Sequence, residues 1–205
     1  MPTSQPPLMG QALPVELMNT VFADRHGVHD ALTGVDGARR WLAAVAPRLD
    51  APVAAAADRV TGDDLARLRR LRDALRRLAA ELTGDPRAAA ASAIGELETA
   101  VRTVNEHVYS ARSTPILELT GDGGVVEEFR TTGPPGELVI GAMAAEAVHF
   151  FGRWRDLDLR ACLAPGCVLY FIKNHPRREW CSTACGNRAR AARHYARHGK
   201  PPTTR

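Results

Sequence analysis

The sequence has few aromatic residues. Phe, Trp and Tyr make up 5% of its 205 positions, and alanine is abundant, which favours packed helices. It also lacks any apolar run approaching the roughly 20 residues of a membrane span, so no membrane association is expected. Met1 to Gly10 contain no basic segment leading into an apolar core. No signal peptide is therefore expected, and a cytoplasmic protein is. No internal repeat is visible. No activated nucleophile supports an enzyme, and none is expected. Hydrophobic residues make up 45%, enough for a sizeable core in one large or two small domains.

Cysteine is scarce as well, and its four copies all fall between Cys162 and Cys185. Cys162 and Cys167 make one close pair, and Cys181 and Cys185 make the other. Two close pairs separated by a hairpin's length of chain form a metal-ligand arrangement. Zinc takes four soft ligands in a tetrahedron, here one pair from a turn and one from a helix start. Thiolates at a helix N-terminus sit where the dipole and free N–H groups favour negative charge. The alternatives are disulfides, which need an oxidising compartment, a redox pair, or chance clustering. Four unrelated buried cysteines are not expected to crowd into one short stretch. Four thiolates would fill the tetrahedron and leave no open position for water, so a single structural zinc is expected and a catalytic one is not. His175 is a competing ligand, but it lies in a turn away from the pairs.

Charge is unevenly placed. Residues 160–205 hold ten Lys and Arg and one Glu, a net +9, while the rest holds 17 basic and 22 acidic residues, a net −5. The basic pI of about 9.2 thus comes from the C-terminal part alone. Such asymmetry is the footprint of a module that meets a polyanion, although a solvated basic tail is the bland alternative.

Trp180-Cys181-Ser182 followed by Cys185-Gly186-Asn187-Arg188 resembles the CGNR zinc-finger family, named for that tetrapeptide. Arg177-Arg178-Glu179-Trp180 and the apolar Val168-Leu169-Tyr170-Phe171-Ile172 are similar to it too. The resemblance implies a treble-clef-like zinc fold over residues 160–199, with a proposed DNA-binding role. Residues 200–205 form a basic tail. The chain departs from the pattern at Lys173, where the family is expected to place an acid. Leu17-Met18-Asn19-Thr20, a polar loop, Asp30, Leu32 and Trp41-Leu42 resemble the ABATE domain, which commonly precedes a CGNR finger in proteins described as stress-induced transcription regulators.

The expected architecture is mainly α, of the α+β class. A flexible N-terminus, 1–13, precedes a helical domain with a small hairpin, 14–155, and then the finger. Pro14 opens a helix to about Ala23, and residues 24–30 read as a polar loop. Ala38 to Val45 form a second helix, and Leu49 to Val60 a connection. From Asp63 to Leu82, leucines recur in steps of three and four. Arg67, Arg69, Arg70, Arg72, Arg76 and Arg77 on its other sides read as a solvated face, since Asp64, Asp73 and Glu81 lie among them. Asp85-Pro86 starts a helix to Tyr109. Thr120-Gly121-Asp122-Gly123-Gly124 signals a hairpin, and a helix follows from Gly136 to Trp154. Residues 156–160 read as the junction.

In the finger, Val168 to Ile172 is expected to be a strand, paired antiparallel with Arg177 to Trp180. Ser182 can cap a helix to about Arg197. At about 100° per residue, Cys185, Ala189, Ala192 and Ala196 share its buried face. Asn187, Arg190, Arg193, His194 and Arg197 lie opposite, as a helix entering a DNA groove would need. Lys173, Arg177 and Arg178 are further candidate nucleic-acid contacts. Asn187 either braces the knuckle or reads a base. Arg188 lies nearer the cysteines and reads as structural. Asn19, Arg25 and Trp41, with His26 and His29, are candidates to line a ligand pocket. An ordinary core Trp41 and surface histidines are the other reading. The function expected is a regulator binding double-stranded DNA, with the N-terminal domain as sensor of a small-molecule effector or as homodimerisation unit. The other classes are an RNA-binding or protein-interaction module with a purely structural zinc, and a small-molecule-binding enzyme with an accessory finger.

Overall fold

The computed structural model describes residues 6–110, 113–131 and 133–198. The expected basic tail, 200–205, lies outside them. The described elements run α1 Leu13–Met18, β1 Val21–Asp24, β2 Gly27–Asp30, α2 Val35–Val45, α3 Ala51–Ala56, α4 Gly62–Thr83 and α5 Leu97–Ser110. They continue with β3 Ser113–Leu119, β4 Val125–Thr131, α6 Pro135–Gly152, β5 Leu159–Ala161, β6 Tyr170–Ile172 and α7 Thr183–His198. Each sheet is a single antiparallel pair: β1 with β2, β3 with β4, and β5 with β6. The architecture is mainly helical with small sheets, as the composition implied.

Helix α4 is the spine, packed against α1, α5 and α6. Leu65, Leu68, Leu71 and Leu75 are buried along it. Its start is fixed by a capping box, in which the Thr61 side chain accepts from the Asp64 N–H and Asp64 accepts from the Thr61 N–H. The arginines on its other sides are not all solvated. Arg72 and Arg76 are 5% and 2% exposed. Arg72 meets Asp30 at 2.6 Å, and Arg76 donates to the carbonyls of Met18 at 2.9 Å and Ala90 at 3.0 Å. A buried guanidinium is tolerated only when its donors are taken, and these partners come from distant parts of the chain.

Helix α1 ends earlier than its apolar pattern suggests. The supposed helix end and the following polar loop form the β1–β2 hairpin, with Val21 opposite Asp30 and Asp24 opposite Gly27. Asp24 stabilises the tight turn by accepting from the His26 N–H at 2.7 Å. The segment before α1, expected to fray, is tied down from Met9 onward. Buried Glu16 accepts the backbone N–H groups of Met9 at 3.1 Å and Gln11 at 2.7 Å. Helix α5 begins at Leu97 and not at Asp85, because the Asp85 side chain is engaged by Arg87 and Tyr170.

The expected finger hairpin does not form. β6 pairs with β5, Ala161 opposite Tyr170 and Leu159 opposite Ile172, so the supposed junction contributes a strand. The other edge of β6 is occupied by side chains of the N-terminal part. Asn19 takes the Tyr170 N–H and Gln11 takes the Ile172 N–H, leaving no row of free groups for Arg177 to Trp180. Leu159 and Tyr170 lie in the main core, and Phe22 of β1 is buried with the four cysteines. Helical domain and finger therefore share their cores.

Candidate metal centre and the helix beside it

Cys162 and Cys167 stand on a tight knuckle whose turn passes through Gly166 at φ +73°, a conformation that suits glycine. The knuckle closes with the Cys167 N–H donating to the Ala164 carbonyl at 2.9 Å and the Cys162 N–H to the Leu169 carbonyl at 2.9 Å. Cys181 precedes α7 and Cys185 lies in its first turn, where Ser182 Oγ accepts the Cys185 N–H at 3.2 Å, the cap expected of it. All four cysteines are buried, and their Sγ atoms lie within 4.8 Å of one another. Cys167 and Cys181 Sγ are 3.8 Å apart, and Cys181 and Cys185 Sγ 3.3 Å. A tetrahedral ion with metal–sulfur bonds of about 2.3 Å needs sulfurs about 3.8 Å apart, so the donor set fits a zinc-like ion.

The surroundings favour sulfur as thiolate. The Cys181 N–H points to Cys162 Sγ at 3.4 Å, and Arg188 Nη2 donates to Cys185 Sγ at 3.2 Å. Thiols packed this closely share protons. Hydrogen bonds from Cys167 and Cys181 pull Cys162 down to about 7, and those from Cys162, Cys167 and Cys181 push Cys185 down. Hydrogen bonding with Cys162 and Cys185 pushes Cys167 up, and that with Cys162, Cys167 and Cys185 pushes Cys181 up. A cation is what lets all four be thiolates together.

Gly186 lies where Trp180 crosses the helix. A Cβ there would stand 3.1 Å from Trp180 Cδ1. Only Cys185, Gly186 and Ala189 of α7 are buried. Ala192 and Ala196, expected on the packed face, are exposed, since no second hairpin strand reaches them. Asn187, Arg188, Arg190, Arg193, His194 and Arg197 are exposed as well. Asn187 Oδ1 accepts from Arg190 Nη2 at 2.5 Å. Arg177 is exposed and Lys173 half-buried. Arg178 is occupied inside the finger. Its guanidinium donates to the carbonyls of Ile172 at 3.3 Å and Cys181 at 3.0 Å and lies over the Phe171 ring. It braces the loop before Cys181 and is not a free nucleic-acid contact.

Asn19 does not line a pocket. It is fully buried, donating to the Tyr170 carbonyl and accepting the Tyr170 N–H, both at 2.9 Å. Sequence reasoning also missed a set of buried groups around it. Arg87 Nη1 donates to the carbonyls of Cys162 at 2.9 Å, Cys167 at 3.0 Å and Leu169 at 3.3 Å, gripping the knuckle's backbone. Asp85 holds Arg87 at 2.6 Å and accepts the Tyr170 hydroxyl at 2.7 Å. Arg76 and Arg87 lie over the Tyr170 ring at 5.3 and 5.2 Å. Burial, together with the bond to Asp85, raises the Tyr170 phenol to about 12. Asp85 and Arg87 are two residues apart, but their partners in the knuckle and strand lie 75 to 85 residues away and those of Asn19 151, so no local pattern could have signalled these contacts. Arg25 and Trp41 do line one cleft, together with His26, His29 and Arg188.

A helical domain locked to a buried four-thiol centre defines a metal-binding finger protein. The chain belongs to the ABATE family, described as "putative stress-induced transcription regulator", whose model matches residues 11–153. The CGNR zinc-finger model matches residues 159–198. No curated protein sequence matches the chain. No helix among the described residues is long and apolar enough to cross a membrane.

Proposed function

We propose that this protein is a cytoplasmic transcription regulator that binds double-stranded DNA through α7, holds one structural zinc on Cys162, Cys167, Cys181 and Cys185, and is not an enzyme. The observation that carries this is the state of α7. It is anchored at its start by the metal ligands, while Asn187, Arg190, Arg193, His194 and Arg197 are exposed along it. The helix holds no acidic residue to neutralise them. Its narrow, alanine-lined body could enter a major groove, where Arg reads guanine or holds phosphate and Asn reads adenine. Arg177, on the loop before the second cysteine pair, would add a phosphate contact. We read the finger as treble-clef-like and the N-terminal domain as its sensor or dimerisation unit.

The test is selection from a random duplex-DNA pool with full-length, zinc-loaded protein at moderate salt. Enrichment of a defined motif, bound about tenfold more weakly by Arg190→Ala, is the expected outcome. A palindromic motif would add a dimer. Salt-sensitive binding without a motif would reduce the finger to a phosphate-binding module. Absence of binding would overturn the reading in favour of an RNA or protein partner.

A further inference from the structure

We infer that the cleft between the β1–β2 hairpin, α2 and the first turns of α7 binds a small organic carboxylate with an apolar body, and that Arg188 reports its binding to the metal centre. The inference rests on reading the N-terminal domain as a sensor, and it names the ligand class and the route.

The cleft has a volume of about 1150 Å³, ample for a small molecule. Three guanidinium groups line it, from Arg25, Arg40 and Arg188. Among the described residues none of the three has a carboxylate partner. The two acids of the lining are already engaged. Asp24 meets His29 Nε2 at 2.7 Å, and Asp30 meets Arg72 at 2.6 Å. The hydrogen bond with His29 and that from the His26 N–H hold Asp24 below its ordinary value, so it stays ionised and taken. Arg25, which donates to His26 Nε2 at 2.9 Å, and Arg40 thus bring charge to the cleft that no carboxylate meets, and a planar carboxylate matches a guanidinium fork.

Trp41 supplies the second, independent observation. It lines the cleft, is 3% exposed, and its indole N–H has no hydrogen-bond partner among the described residues. A buried donor left unmade is costly, and an acceptor on a ligand would satisfy it. Part of the rim is apolar: Leu8 and Val28 are 45% and 50% exposed beside the cleft. They provide a seat for a hydrocarbon body. Arg188 completes the route. It lines this cleft and also donates to Cys185 Sγ at 3.2 Å. A carboxylate competing for that guanidinium weakens its hold on the thiolate and shifts the start of α7.

The test uses full-length, zinc-loaded, ¹⁵N-labelled protein without DNA, titrated with benzoate, with hexanoate, and with benzyl alcohol as the neutral control. The expected result is a saturable shift of the Trp41 indole N–H resonance, assigned by its loss in Trp41→Phe, with either carboxylate and not with the alcohol. Arg40→Ala should weaken the binding about tenfold. Zinc release to a chromophoric chelator should quicken about threefold with carboxylate in the unsubstituted protein but much less in Arg40→Ala. No saturable shift with either carboxylate, an equal shift with benzyl alcohol, or no effect of Arg40→Ala overturns the site. A shift without any change in zinc release overturns the coupling. If motif-specific duplex binding persists while the carboxylates leave Trp41 unmoved, the ligand assignment fails alone. If the carboxylates bind a protein that selects no DNA, the regulator reading fails alone.

Discussion

Asn19, at the end of α1, pairs its side-chain amide with both backbone groups of Tyr170, at 2.9 Å in each direction. It thereby acts as a one-residue strand on the free edge of β6. The amide is fully buried, so both Tyr170 groups depend on it. Asn19→Ala leaves a buried N–H and a buried carbonyl unmade, each costing about 1–3 kcal/mol. Equilibrium urea unfolding of the zinc-loaded protein should show a loss of about 2–4 kcal/mol, the upper part discounted for water entering the gap. A change below about 0.5 kcal/mol would mean that the pair contributes nothing net.

Because Leu159 and Tyr170 lie in the main core and Arg87 grips the knuckle's carbonyls, the finger is not an independent unit. Removing the metal with a chelator should destabilise the whole chain. Ligand linkage gives about 2.7 kcal/mol for an ion present at 100 times its dissociation constant. Far-UV circular dichroism should show one transition that moves down as a unit. A helical transition left in place would show that the helical domain ignores the finger.

Asp85 gives the interface a pH signature. Burial alone would raise its carboxyl, but hydrogen bonds from Arg87 and Tyr170 outweigh it and hold the group below the ordinary value of 3.8. A depressed folded value contributes stability that is present above the unfolded pKa and is lost as pH falls through the folded one. The contribution should be complete above about pH 5 and fade below about pH 4. Asp85→Asn should be less stable than the unsubstituted protein at pH 6, with the gap narrowing as pH falls towards 3. Denaturation across that range checks it, and a gap independent of pH would refute it.

Arg188 donates to Cys185 Sγ, so Arg188→Ala removes a charge-assisted bond to a metal ligand. Removing such an outer partner typically lowers metal affinity about 10- to 100-fold. Competition with a chelator of known affinity measures the loss. Duplex sequence preference should change less than metal retention, and the reverse pattern would make Arg188 a DNA contact.

At Gly186 the ring of Trp180 occupies the space a side chain would need, with only 3.1 Å left for a Cβ. Gly186→Ala should cost about 1 kcal/mol through displacement of Trp180, despite alanine's better helix propensity. Unfolding with tryptophan fluorescence as the probe would register both the loss and the shifted ring. A gain in stability would show that Trp180 yields freely.

The cluster of four cysteines was legible from the sequence, because a chelating set imposes close spacing that survives as a pattern along the chain. The leucine repeat of α4 and the glycine-rich turn between β3 and β4 were legible for the same reason, each being set by neighbours a few residues away. Ser182 as cap follows the same rule. Misreadings arose where a local signal was weak or where partners are distant. The β1–β2 hairpin looked like a loop because its short strands are held by a tight polar turn. Arg72 and Arg76 looked solvated because their acceptors, Asp30 and the carbonyls of Met18 and Ala90, are brought to α4 only by folding.

The candidate site divides in the same way. Sequence alone determined that four thiols converge and that a basic helix follows them, since both depend on residues close in the chain. Which strand lies beside β6 was decided by tertiary structure. So were the roles of Asn19 in the interface and Arg178 within the finger, and the reach of Arg188 to both the thiolate and the cleft. Backbone groups on a strand edge and buried guanidinium donors bind whichever acceptors are brought near them, and that neighbourhood exists only once the chain has collapsed.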